Sequence, residues 1–232
     1  MLNLLGHITG MAAILVDVVA IVSIVPMTLG QRLVAAGVAG AWVGLATALG
    51  AAGALAYSPD QPIPVVGLLF ATPLFAAAAL WFGSQSFRAA LLAIPTELLI
   101  GLNALRVVGV LFLALAAVGR LSGPFPYSAG LGDMITGLIA VPLALRVARS
   151  EPASIAAWNA FGALDLFAAV GFGLASGQGP TQLLHVGVGS QAMQSLPFSL
   201  VPTVLVPFYL ITHAVVAAQL VARRKTRALR AA

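Results

Sequence analysis

The sequence contains no cysteine. That absence excludes disulfides, thiolate metal sites, iron–sulfur clusters, covalently attached haem and cysteine nucleophiles. Charge is almost as scarce: only 7% of the 232 residues are charged, where soluble domains carry about 25%. Lys225 is the one lysine, and it lies in the C-terminal tail. No helix therefore supplies a Schiff-base amine, and a retinal-type pigment is excluded. There are three histidines and no His-Glu-x-x-His or Glu-x-x-His pattern, which removes the usual framework of a zinc hydrolase. A Ser-His-Asp relay fails as well. Ser199 and His213 fall on one apolar run, separated by roughly 21 Å along a helix axis.

What fills the chain is apolar surface. Hydrophobic residues make up 61% of it, and the mean hydropathy is +1.06. A soluble domain of this composition could not cover itself with polar groups, whereas a bilayer removes that requirement. A membrane-spanning helix needs about 20 apolar residues, and seven runs meet that length, at roughly 5–29, 33–57, 63–82, 97–119, 128–148, 154–176 and 198–222. The breaks between them carry turn chemistry, as in Gly30-Gln31-Arg32, Ser58-Pro59-Asp60-Gln61-Pro62 and Arg149-Ser150-Glu151-Pro152. The expected fold is an all-α integral membrane protein, a bundle of seven transmembrane helices forming a single domain over residues 1–232. The first run is too long for a signal-peptide core and lacks a basic flank, so it reads as a retained helix.

Basic residues set the expected orientation. With the N-terminus outside and the C-terminus inside, the cytoplasmic face holds Arg32, Arg88, Arg146, Arg149, Arg223, Arg224, Lys225, Arg227 and Arg230, and the outer face holds Arg120 alone. That asymmetry follows the positive-inside rule and needs an odd number of spans. The same distribution explains the net charge of +5 as a basic collar beside lipid and argues against nucleic acid. Between spans, Ser84 to Pro95 is expected to form a short interfacial helix, and Thr181 to Ser195 is the longest outer connection.

Polar side chains inside apolar runs are costly and face the bundle interior. At the helical rise per residue, Arg106, Asp165 and Asp17 lie roughly 14, 17 and 12 Å from the cytoplasmic edge, and His213, Asn103 and Asn159 about 8–9 Å. These residues are expected to converge on one polar core in which Arg106 pairs with Asp165 or Asp17. Two acids against one guanidinium leave an acid over, the kind of group that carries protons, whereas a structural ion pair would only lock the helices. Asp133 stands apart as an outer-face candidate near the start of the fifth helix, where the helix dipole favours a carboxylate.

The seventh run holds Pro202 and Pro207, which remove backbone donors and kink a helix. Thr203 and Tyr209 stand beside the freed carbonyls, and this stretch with His213 is expected to line a hydrated cavity. His7 and His185 both fall near the outer face and form the weaker alternative of a bis-histidine haem site; otherwise no cofactor and no metal are expected. Gly40 and Gly44 give the second helix a small-xxx-small face for close helix contact, inside the bundle or, alternatively, against a second copy in a homo-oligomer.

Three segments, Ala129-Gly130-Leu131-Gly132-Asp133-Met134-Ile135-Thr136-Gly137, Asn159-Ala160-Phe161-Gly162-Ala163-Leu164-Asp165-Leu166 and Leu196 through His213, resemble a group of uncharacterised bacterial seven-helix inner-membrane proteins. The resemblance covers about half the chain. It implies a multi-pass protein of the bacterial inner membrane and brings no activity or site residue with it. The functional expectation is a carrier of a small solute or ion with a proton-sensitive polar core. The alternatives are a membrane-embedded enzyme or cofactor protein acting on lipid or quinone, with His213 and an aspartate as acid–base pair, and a structural subunit of a membrane complex.

Overall fold

A computed structural model describes residues 1–24, 27–58, 65–151 and 153–231. The turn at Pro59 to Pro62 and the proline at 152 lie outside those residues. Among the described residues the chain is helical, with seven helices long and apolar enough to cross a membrane. They are α1 (Leu2–Ile24), α2 (Leu29–Ala51), α3 (Val65–Gly83), a composite fourth span, α7 (Phe125–Ala148), α8 (Ile155–Ser176) and a composite seventh span. The fourth span runs from α5 (Thr96–Leu102) through a 3₁₀ stretch (Asn103–Gly109) into α6 (Val110–Ala117). The seventh begins with one π-helical turn (Val201–Leu205) and continues as α9 (Val206–Ala231). A short helix, α4 (Gln85–Leu92), joins α3 to the fourth span.

The helix starts follow from local chemistry. Thr28 and Gln31 form a reciprocal capping box at α2: the Thr28 hydroxyl accepts from the Gln31 N–H at 3.3 Å, and Oε1 of Gln31 accepts from the Thr28 N–H at 2.9 Å. Ser84 caps α4 through the Phe87 N–H at 3.2 Å. In α7, Pro126 sits in the first turn, where a missing N–H costs nothing. That helix therefore starts at Phe125, ahead of the expected 128.

Two sets of contacts define the ends of the bundle. At the N-terminal end, Arg120 donates to Asn3 at 2.6 Å, and the backbone N–H of Tyr57 donates to Gln194 at 3.0 Å. At the C-terminal end, Gln219 donates to the carbonyls of Leu92 and Ile94 at 3.2 and 2.7 Å and accepts from Thr96 at 2.6 Å. Arg223 adds a bond to Thr96 at 2.7 Å.

The fourth and seventh spans are the most buried of the seven, at 44% and 56% of their apolar windows, while α2 and α3 stand at 6%. The core thus runs through the fourth to seventh spans, with α1 to α3 against its outside. On α7, Ala129, Gly132, Thr136 and Ala140 recur at helical spacing and are buried, which lets the fourth span and α8 approach closely. The glycine face of α2 behaves otherwise. A methyl group added at Gly37, Gly40 or Gly44 would meet nothing within 4 Å, so these glycines mediate no contact inside the bundle.

Candidate functional site

The 3₁₀ stretch builds the site. Side chains three residues apart eclipse one another in a 3₁₀-helix, so Asn103, Arg106 and Gly109 fall in one row, and all three are buried. A regular α-helix would have fanned them apart. Arg106 thereby presents its whole guanidinium to the interior. Nε donates to Asp133 Oδ1 at 2.7 Å, and Nη2 donates to Asp165 Oδ2 at 2.6 Å. Nη1 donates to the carbonyl of Gly162 at 3.2 Å and reaches His213 Nε2 at 3.0 Å. The Tyr209 ring lies 6.0 Å from the guanidinium carbon.

The hydrogen-bond pattern assigns the histidine. Arg106 is a donor only, so His213 Nε2 accepts. The proton then sits on Nδ1, which donates to Asn159 Oδ1 at 2.9 Å, while Asn159 Nδ2 returns a bond to the His213 carbonyl at 3.2 Å. Trp158 packs on the imidazole with ring centroids 5.2 Å apart, its own N–H bonded to the Thr136 carbonyl at 3.1 Å. In this arrangement two carboxylates face one guanidinium and a neutral imidazole, leaving one negative charge over when both acids are ionised.

Glycines make the room. A methyl group on Gly132 would occupy the place of the Asp165 carboxylate. One on Gly162 would come within 2.6 Å of the His213 ring, and one on Gly109 within 2.5 Å of the Asp133 Cβ.

The structure redistributes the expected partners. Arg106, Asp165, Asn159 and His213 come together. Asp133 joins them: with α7 starting at Phe125, it stands two turns inside the helix and bonds Arg106 directly. At that depth it lies beyond the first turn, where the helix dipole would favour a carboxylate. Asp17 does not reach Arg106. It accepts from the Tyr209 hydroxyl at 3.1 Å, and its second oxygen has no partner among the described residues. Asn103 bonds the Leu99 carbonyl at 2.9 Å and Thr212 at 3.4 Å, beside the cluster. Thr203 bonds back to the Ser199 carbonyl at 2.7 Å. Trp158, Thr212 and Gln219 belong to the buried polar network as well and are absent from the expected set. Each is buried and interrupts an apolar run, which is the signal that marks the others.

Among the described residues a small cavity of about 50 Å³ touches Arg106 and Asp133 directly, and two larger ones, which share no lining residue with each other, flank the cluster. The first, of about 310 Å³, opens near the N-terminal end beside Gln178 and Gln194 and is walled by Phe70, Phe112 and Phe125. Asp133 lines its inner part. The second, of about 550 Å³, lies toward the C-terminal end between α3, α8 and α9, with Trp81, Phe82 and Phe167 on its walls and the buried Asn159 and His213 at its lining. Pro202 belongs to the first cavity and His213 to the second, so the seventh span does not line one continuous cavity.

His7 and His185 are exposed, and among the described residues neither imidazole has a hydrogen-bond partner. Among the described residues no three His, Asp or Glu side chains gather to hold a metal ion.

The family model for a domain of unknown function, DUF8737, matches residues 63–221, and the chain belongs to that family. The match spans α3 to α9 and takes in the whole Arg106 cluster, leaving Asp17 and α2 outside. No curated protein and no solved structure matches the chain.

Proposed function

We propose, for this member of a family of unknown function, that the protein is a carrier of the bacterial inner membrane, with the Arg106 cluster as its central barrier and a proton among the species it moves. One observation carries the reading. A single guanidinium ties Asp133, which lines the first cavity, to His213, which lines the second. Cavities on both sides of a buried ionic layer suit alternating access, because the layer blocks passage until its charges re-pair. The excess negative charge gives a proton or another cation a place to travel with the change. Ionisable groups within membrane spans are found in such relays.

In the proposed orientation the N-terminus lies outside and the C-terminus inside, which the basic residues at one end of the spans favour. The first cavity then faces outward and the second inward. A reporter fused after Ala232 is expected to behave as cytoplasmic, and a periplasmic signal would reverse both assignments.

The carrier reading is tested in vesicles holding pyranine and a potassium gradient. On addition of valinomycin, vesicles containing the protein should acidify faster than protein-free vesicles, and Asp133→Asn should slow the response. Rates equal to those of protein-free vesicles would remove the reading. A lipid- or quinone-binding role is the second reading, and the apolar walls of both cavities favour it.

A further inference from the structure

We infer that the first cavity binds amphiphilic organic cations, an ammonium head at Asp133 with an apolar, aromatic-sized body along Phe112 and Phe125. The inference deepens the carrier reading by naming a class of substrate for it.

Shape and charge point the same way. Phe125, Ala129 and Asp133 all line the cavity and follow one another at intervals of four on α7, which places them on one helix face. From Phe125 to Asp133 that face is about 12 Å long at the helical rise per residue. The cavity therefore has length, with aromatic walls toward its mouth and a carboxylate at its inner end. Phe112 and Phe125 pack on each other with ring centroids 5.7 Å apart at 45°, and together they make one continuous aromatic wall.

The sign of the charge follows from exposure. Within the ion-paired triad the side chains of Arg106 and Asp165 are 1% and 7% accessible, and that of Asp133 is 15%. Asp133 Oδ1 is taken by Arg106, while Oδ2 has no hydrogen-bond donor among the described residues. The cavity is thus lined by a carboxylate with one oxygen free of donors, backed by a cluster with one negative charge over when both acids are ionised. An ammonium group supplies both donor and charge; an alcohol supplies only the donor, and an anion is repelled. The proton and the ammonium head are then alternative ways of neutralising one excess charge, so the two would compete for the site.

The test is equilibrium binding to the purified full-length protein in detergent, which needs no transport. The probes are phenylbutylammonium, phenylbutanol and phenylbutyrate, matched in body and different in head. The ammonium should bind at least about ten-fold more tightly than the alcohol, since a hydrogen bond to a charged group is worth roughly 1.5–3 kcal/mol. Phenylbutyrate should bind more weakly still. Asp133→Asn should abolish the preference. Because that change also unpairs Arg106 and threatens folding, Val170→Trp serves as the second variant: it narrows the cavity and leaves the ion pairs in place. Folded Val170→Trp protein should lose the ammonium binding. Equal binding of the three probes, tighter binding of phenylbutyrate, or full ammonium binding by Val170→Trp would each overturn the inference. Binding with the expected preference, alongside vesicles that move no protons, would leave the site standing and remove the carrier.

Discussion

The indole N–H of Trp42 on α2 donates to the backbone carbonyl of Thr203 at 3.0 Å. Thr203 lies four residues before Pro207, and its carbonyl is the one that an amide at 207 would have engaged. Proline has no such amide. In a bilayer a freed carbonyl must find a donor within the protein, and here it finds one on a neighbouring helix. The π turn over Val201–Leu205 marks the same local loosening of the ladder.

Trp42→Phe keeps the ring and removes the donor. It is expected to lower stability by about 1 kcal/mol, the scale of an interhelical hydrogen bond in a membrane. In a Pro207→Ala background the amide returns and satisfies the carbonyl from within the helix, so the cost of Trp42→Phe should largely vanish. A double-mutant cycle on thermal unfolding in detergent measures this directly. Costs that simply add would mean that the two residues are not coupled through Thr203.

Gly132→Ala is expected to be disruptive out of proportion to its size. The new methyl group would collide with the Asp165 carboxylate, and either the ion pair or the contact between α7 and α8 has to yield, at about 1–3 kcal/mol for an overpacked site. Gly171→Ala on α8 is the control, because nothing lies within 4 Å of its added methyl group. Equal thermal stability of the two variants would contradict the close approach.

Much of this arrangement is legible in the sequence, and the remainder has identifiable physical causes. The seven apolar helices follow from run length, because only helices of that length span a bilayer with every backbone group paired. Arg106 and Asp165 attract attention as charges deep in apolar runs. Their partners do not follow, since distance along an axis carries no information about which face points where. Asp17 matches Arg106 in depth yet faces Tyr209. Asp133 reads as too shallow because Pro124 and Pro126 look like a turn, whereas in the structure they flank the first residue of α7. The 3₁₀ stretch at Asn103–Gly109 has no sequence signature beyond a glycine at its end, and it is what aligns Asn103 with Arg106.

Arg106→Ala should be among the most destabilising single changes. It strands two carboxylates, and breaking a buried pair costs roughly 3–5 kcal/mol. Arg120→Ala is the comparison. Arg120 is half-buried at the N-terminal end, bonded to Asn3 and lying 5.5 Å from the Phe198 ring, and its loss should cost about 1 kcal/mol or less. Arg106→Lys should not rescue, because an ammonium cannot reach Asp133, Asp165, the Gly162 carbonyl and His213 together as a planar fork does. Similar melting temperatures for Arg106→Ala and Arg120→Ala would refute a central role for the guanidinium.

The charge count of the cluster rests on the state of His213, and that state is measurable. With Arg106 donating to Nε2 at 3.0 Å and Asn159 accepting from Nδ1 at 2.9 Å, the ring should be neutral with its proton on Nδ1. Solid-state ¹⁵N spectra of histidine-labelled protein in lipid should show one ring with a protonated Nδ1 and a bare Nε2, and this signal should be missing in His213→Gln. The introduced glutamine would still offer Arg106 an acceptor, so the variant should fold. In Asn159→Leu the Nδ1 proton loses its acceptor while Arg106 still donates to Nε2, so the same tautomer should persist with a shifted Nδ1 signal. A doubly protonated His213 in the wild-type protein would place two donors 3.0 Å apart and bring the cluster to neutrality with both acids ionised. The excess negative charge would then be gone, and with it the reason for a proton or an ammonium group to enter from the side of Asp133.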